Sequence, residues 1–265
     1  MCRLFGSRSR VPDGVAHELL HGSNALRVQS HKHPDGWGLG WYEGATPRVV
    51  RSLAPAHGDS EFEKLSSFVS APTVIAHVRQ ASIGRVATVN THPFRRGPWL
   101  FAHNGTLPAW DKAREPLEAL LDPSLRAELN GETDSERCFY LFLSRLRRRC
   151  DLEAATIAHA AAALSQTVAE VRALVDPLAD KPSSTTFLLT DGRLMLACRR
   201  GRTLHISSPD PDAEGRVDYV ALASEDPTGD APPSGRFPWR LLPEESLITI
   251  DEEMRLRVGP LFADA

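Results

Sequence analysis

The stretch MCRLFGSRSR (residues 1–10) decides how the rest of the chain is read. A cysteine stands directly behind the initiator methionine and opens a short strand-like pattern, CRLFGS, that is expected to end at Gly6. On its own, Cys2 reads as a small strand residue. With Met1 removed, it would instead be a thiol beside a free α-amine. Such an amine has a pKa of roughly 7.7–8.0, so it is a usable base near neutral pH. What the remaining sequence can bring to that strand end decides between the two.

Working outward, an amphipathic helix is expected around residues 15–20. GWGLGWYEG (residues 36–44) alternates like a strand but is heavy in glycine, which marks a backbone approached closely by something else. PRVVRSL and APTVIAHVR (71–79) read as strands with a helix near 60–68 between them, and WLFAHN (99–104) reads as a strand breaking at Gly105. Helices are expected over 109–121, 135–149 and an alanine-rich 151–175, the second carrying Phe139, Phe142, Leu143 and Leu146 on one face. STTFLLT, GRLMLACRR, TLHISS, VDYVALASE, SLITIDE and MRLRVG return to strands, and DPTGDAPPSGRFP reads as a loop between them. Strands, helices and strands again argue for one α+β domain over 1–265 with antiparallel sheets.

Reactive residue types gather where these short strands stop. HKHPDGWGLGWY supplies Asp35, AHVRQAS supplies His77 and Arg79, and VNTHPF supplies Asn90 and His92. FAHNGTL supplies His103, Asn104 and Gly105, and GETDSE supplies Asp134. Each has a bland reading beside it. HNG is a turn signal. TDSE is a capping box, with Thr133 as N-cap, Glu136 reaching back and Asp134 favoured by the helix dipole. The three histidines are equally suited to hydrogen-bonded core positions.

Taken in order, Cys2, DGWG, AHVRQ, NTHPF, HNG and TDSE resemble the class II glutamine amidotransferases, whose glutaminase domain is an N-terminal-nucleophile hydrolase. The likeness is to the stand-alone bacterial group related to enzymes that remove γ-glutamyl groups in glutathione breakdown and ergothioneine synthesis. The later ASE…W…LLPEESLITID stretch (223–251) looks like that group's C-terminal strands. The resemblance implies a four-layer α/β/β/α sandwich of two antiparallel sheets between helices.

It also implies roles. Cys2, freed of Met1, would attack a γ-amide carbonyl and form a γ-glutamyl thioester that water hydrolyses. The side-chain amide of Asn104 and the backbone N–H of Gly105 would hold the oxyanion. Arg79 would take the substrate α-carboxylate in a bidentate fork, and Asp134 would accept from its α-ammonium. Asn90 and His92 would shape the pocket. In synthase-fused members the arginine is followed by tryptophan and then a small-residue and histidine run. Here Gln80, Ala81 and Ser82 follow, which leaves room for a γ-glutamyl amide larger than glutamine.

Composition narrows the partners. At 265 residues, 42% apolar and 25% charged, the chain is long enough for a sizeable core and ordinary for a globular protein. A net charge of −3 gives no reason to expect nucleic acid or anionic membrane. The basic run RLRRR (145–149) reads as a solvated helix end complementing the dipole. No segment nears the ~18–20 apolar residues of a membrane span, and no signal peptide is evident. Cys2, Cys138, Cys150 and Cys198 are widely spaced, which suits reduced thiols in a cytoplasm. Neither a metal nor an organic cofactor is expected, since the histidines lack ligand spacing.

The leading expectation is an amidohydrolase acting on glutamine or another γ-glutamyl compound. A γ-glutamyl peptidase acting on a thiol metabolite shares all of its residues. Ammonia transfer would require a separate synthase partner. An inert scaffold is disfavoured by Cys2, Arg79, Asn104, Gly105 and Asp134 occurring together.

Overall fold

A computed structural model describes residues 2–229 and 237–262. The helices are α1 (Leu26–Gln29), α2 (Ser60–Phe68), α3 (Trp110–Ala119), α4 (Pro123–Arg126), α5 (Asp134–Arg147) and α6 (Ile157–Val175). The strands are β1 (Arg3–Gly14), β2 (Trp37–Glu43), β3 (Thr46–Ser52), β4 (Ser70–Val78), β5 (Phe94–Arg96), β6 (Trp99–Thr106) and β7 (Ser184–Thr190). They continue with β8 (Met195–Arg199), β9 (His205–Ser207), β10 (Tyr219–Ala223), β11 (Trp239–Leu241), β12 (Ser246–Ile250) and β13 (Leu256–Pro260). One sheet runs β11-β9-β10-β1-β4-β2-β3 and the other β13-β12-β8-β7-β6-β5. Every pairing between neighbouring strands is antiparallel.

The two-residue side-chain period explains the layering. Leu4, Ile75, Val220 and Leu222 of the first sheet meet Leu100, Ala102, Leu188 and Ile248 of the second in one cluster between the sheets. Their chain neighbours point the other way. Phe5, Val74, Ala76, Ala221 and Ala223 pack under Leu26 and Phe62, while Trp99, Phe101, Phe187 and Leu189 pack under Phe139, Leu143 and Val168. Strands apolar on both faces are what a four-layer α/β/β/α arrangement demands, so the expected architecture is the one observed.

Several local expectations are corrected. β1 does not stop at Gly6 but runs through it to Gly14. A Cβ at Gly6 would lie 2.5 Å from Leu188 Cδ2, so that glycine lets the sheets approach rather than ending a strand. β6 likewise continues through Gly105, which pairs with Thr185. Residues 17–21 form a single π-helical turn in place of an amphipathic α-helix, and a 3₁₀ turn at Leu152–Ala154 precedes α6. In the glycine-rich β2, Gly38 is crowded by the His92 carbonyl and Gly40 by Leu100, as its composition implied. Arg145 is not a solvated helix end: it is buried, ion-paired with Glu170 at 2.6 Å, and donates to the Leu120 carbonyl. Residues 230–236 of the Pro/Gly-rich loop lie outside the described residues.

Candidate active site

Strand register carries Cys2 to Arg79. β1 is flanked by β4 and β10, and Arg3 pairs with Val78. The residues just beyond that pair, Cys2 and the 79–80 segment, are therefore neighbours. The Cys2 Sγ lies 3.4 Å from the Gln80 N–H donor and 3.5 Å from the Gln80 carbonyl. On the other side, Leu4 and Ser224 exchange backbone and hydroxyl hydrogen bonds. Asp35 braces the 79–81 corner: its carboxylate accepts from the Ala81 amide (2.8 Å) and its own amide donates to the Arg79 carbonyl (3.0 Å). Arg79 is buried, and its guanidinium donates to the carbonyls of Ile83, Gly84 and Arg85, each at 3.1 Å. A guanidinium has five N–H donors, so capacity remains for a carboxylate.

The second sheet brings Asn104 and Gly105, at the end of β6. The His77 Nε2–H donates across the intersheet space to the His103 carbonyl (3.3 Å), tying the Arg79 strand to the Asn104 strand. The His103 Nε2–H donates to the Ser184 carbonyl, so its Nδ1 accepts from the Ser135 hydroxyl, both at 2.8 Å. Ser135 follows Asp134 at the start of α5, so one chain of contacts fixes three segments. A Cβ at Gly105 would collide with the Ser184 carbonyl and the His103 ring. Asn104 is buried, and its Oδ1 has no hydrogen-bond partner.

At α5, Thr133 caps the Glu136 amide as expected (3.2 Å). Glu136 does not close a capping box. Its carboxylate reaches instead to the Asn130 and Gly131 amides (3.0 and 2.9 Å) and takes an ion pair from Arg137 at 2.8 Å. Buried Asp134 accepts from the Leu107 and Ser135 amides, both at 2.8 Å. Asn90 acts as a strut, donating to the Arg85 carbonyl and accepting from the Glu132 amide. His92 lies further inside, tilted by 34° against His77 at 4.2 Å between ring centroids, with both ring nitrogens buried and unpartnered.

The family model of glutamine amidotransferases class-II matches residues 1–218. The chain belongs to that family. It is 32% identical over 264 residues to a γ-glutamyl-hercynylcysteine sulfoxide hydrolase of Mycobacterium tuberculosis, covering 96% of this chain and 94% of that protein. A glutamine aminotransferase class-II domain protein from Silicibacter pomeroyi superposes with a TM-score of 0.68 at 20% identity, over 99% of this chain and 100% of its own. Glutamine phosphoribosylpyrophosphate amidotransferase from Bacillus subtilis gives 0.67 at 17% identity, over 99% of this chain and 50% of its own. At those identities the likeness to the two structures is one of fold.

Electrostatics in this class II amidotransferase pull Cys2 in two directions. Burial pushes the thiol above its ordinary value and the nearby Asp134 charge adds to this, while the Gln80 backbone and the Arg79 cation oppose it. Burial also lowers the histidines: His77 falls to about 3, and His92 and His103 shift the same way. They are neutral near pH 7; His77 and His103 serve as hydrogen-bonded struts, while His92 contributes ring packing against His77 and Phe94. Sequence reasoning gave no site role to Ser135, Glu132 or Ser224, and it read Gln80 only as a departure from the synthase-fused pattern, not as the backbone partner of Cys2. Ser135 was legible in TDSE only as a helix-start residue, because its partner His103 is 32 residues away in sequence.

Proposed function

We propose that the chain is a cysteine-dependent amidohydrolase that cleaves the γ-amide of a γ-glutamyl compound. The observation that carries this is the β1–β4 register, which sets the Cys2 thiol on the Gln80 backbone beside buried Arg79. In the proposed cycle Met1 is removed and the freed α-amine accepts the thiol proton. Sulfur then attacks the γ-carbonyl, and the Asn104 side-chain amide and Gly105 N–H stabilise the oxyanion. The amine leaves with that proton, and water hydrolyses the thioester to glutamate. Arg79 grips the α-carboxylate, Asp134 accepts from the α-ammonium, and Asn90 and His92 hold the pocket's shape. Residues 1–265 act in this reading as one catalytic domain working in the cytoplasm, with any ammonia acceptor on a separate protein.

A γ-glutamyl peptidase reading is favoured over glutaminase by one finding, the extended similarity to a γ-glutamyl-hercynylcysteine sulfoxide hydrolase. The test pairs intact mass with glutamate release. The purified chain is expected to lack Met1 and to liberate glutamate from at least one of glutamine, γ-glutamyl amides and glutathione, while Cys2→Ala is expected to liberate none. Retained Met1 in an active enzyme, or full activity in Cys2→Ala, would remove the N-terminal nucleophile.

A further inference from the structure

Past the Asn104 end of β6 opens a cleft of about 310 Å³ whose charged and amide lining is Arg3, Asn104, Arg199, Arg202, Glu225 and Glu244. Its charges are unevenly matched. Arg3 pairs with Glu225 at 3.4 Å, and the Thr203 hydroxyl donates to the same carboxylate at 3.3 Å. Arg199 pairs with Glu244 at 3.3 Å and donates to the Arg202 and Leu242 carbonyls. Arg202 pairs with no carboxylate among the described residues, and its Nε is buried without a hydrogen-bond partner. Burial and the neighbouring Arg3 cation both lower its pKa, as expected for a cation lacking a counter-charge. A partly desolvated guanidinium with an idle donor beside a second cation is costly until an anion arrives.

The position of this cation relative to the reaction centre is fixed by strand register. Asn104 pairs with Thr186 across β6 and β7, and the Thr186 hydroxyl donates to the Arg202 carbonyl at 3.1 Å. Arg3 follows Cys2 directly, and its guanidinium donates to the Cys2 carbonyl at 3.1 Å. Asn104 is thus shared between the reaction centre and the cleft, while Arg79 and Asp134, assigned to the glutamyl end, do not line it. In the γ-glutamyl reading, a cleft that shares Asn104 but not Arg79 or Asp134 lies on the side of the other half of the amide.

We propose that this cleft receives the leaving group and that Arg202 binds a carboxylate on it. The preferred substrates are then γ-glutamyl amides of α-amino acids or peptides, rather than glutamine, whose leaving group is ammonia. The inference rests on the γ-glutamyl reading above. As the C–S bond forms and the C–N bond breaks, the proton taken from the thiol passes to the leaving nitrogen, and the amino acid departs with its carboxylate on Arg202. A guanidinium suits this because it can hold both carboxylate oxygens at once.

The experiment measures binding, so it does not require turnover. Cys2→Ala is titrated calorimetrically with γ-glutamylglycine and with γ-glutamylmethylamide, which has the same glutamyl end and a neutral leaving group. The expected result is at least tenfold tighter binding of γ-glutamylglycine, a preference erased by Arg202→Met and partly kept by Arg202→Lys. Equal affinity for the two ligands, or an equal loss for both in Arg202→Met, would overturn the subsite. Glutamate release by the wild-type chain would then show that the γ-glutamyl reading itself still stands. Binding of neither ligand, with no glutamate released, would overturn both. Arg202→Met removes an unpaired cation and is expected to melt no lower than the parent. Should it fail to fold, Arg202→Lys carries the same comparison.

Discussion

At the scale of the residue, position 105 shows how little freedom the site has. Gly105 lies within β6, and a methyl group there would meet the Ser184 carbonyl on one side and the His103 ring on the other. Neither neighbour is a flexible side-chain tip: one is strand backbone, and the other is pinned by hydrogen bonds at both ring nitrogens. Gly105→Ala must therefore displace β7 or break the His103 contacts. We expect a loss of stability of about 1–3 kcal/mol, in the range of an overpacked core. Glutamate release should fall further than stability alone explains, because the proposed oxyanion donor moves with the strand. Urea denaturation and steady-state kinetics on the same preparation check both parts, and an unchanged urea midpoint would show that the space can open. Residues of this kind were partly legible in the sequence. HNG marked a glycine of consequence, but its reason, crowding from residue 184, comes from a strand almost eighty positions later.

At the scale of the element, α5 is both a structural cap and a platform. The strand–helix–strand order, the Phe139/Phe142/Leu143/Leu146 stripe and the Thr133 cap were all readable from local pattern, since each depends on neighbours within four residues. The depth of burial was not. Every residue of α5 from Asp134 to Leu146 is buried, because α6 and the second sheet cover it, and Arg145 is consequently drawn in to Glu170. The Ser135–His103 bond was also out of reach, for it joins α5 to β6 through the fold alone. Ser135→Ala leaves the His103 Nδ1 buried without a donor. Such a loss typically costs about 1–3 kcal/mol. Because Ser135 also sets the start of the helix that bears Asp134, the variant is expected to raise KM for the γ-glutamyl substrate more than it lowers kcat. A thermal melt with paired kinetics tests this. A stability loss with KM unchanged would reduce Ser135 to a core contact.

At the scale of the whole molecule, the two sheets are joined through groups that fold only when uncharged. His77 and His92 lie between the sheets and His103 on the helix-facing side of the second sheet against α5, and burial lowers all three, His77 to about 3. The charges acting on them are mostly cationic, from Arg79, Arg51, Arg202 and one another, with Asp134 the one carboxylate acting on His103. Burial, and then the neighbouring Arg3 cation, lower His33 to about 4. In the unfolded chain each of these histidines titrates near 6.5. Between that value and the folded one, the unfolded state holds a proton that the native state refuses, so stability falls as pH falls. The contribution is therefore fully present above pH 6.5 and is lost progressively toward pH 3 for His77 and pH 4 for His33. Carboxylates such as Asp59, Asp176 and Glu118 have lowered values, so their share of acid destabilisation begins below about pH 5. The window from 6.5 to 5 belongs to the histidines. His77 alone accounts for roughly 2 kcal/mol at pH 5, and His92 and His103 act in the same direction. Urea midpoints at pH 7.5 and pH 5 should therefore differ clearly, with an uptake of more than one proton on unfolding. Equal midpoints would mean that the histidines between the sheets are already protonated in the native protein, and that the intersheet contact from His77 to the His103 carbonyl is made by an imidazolium.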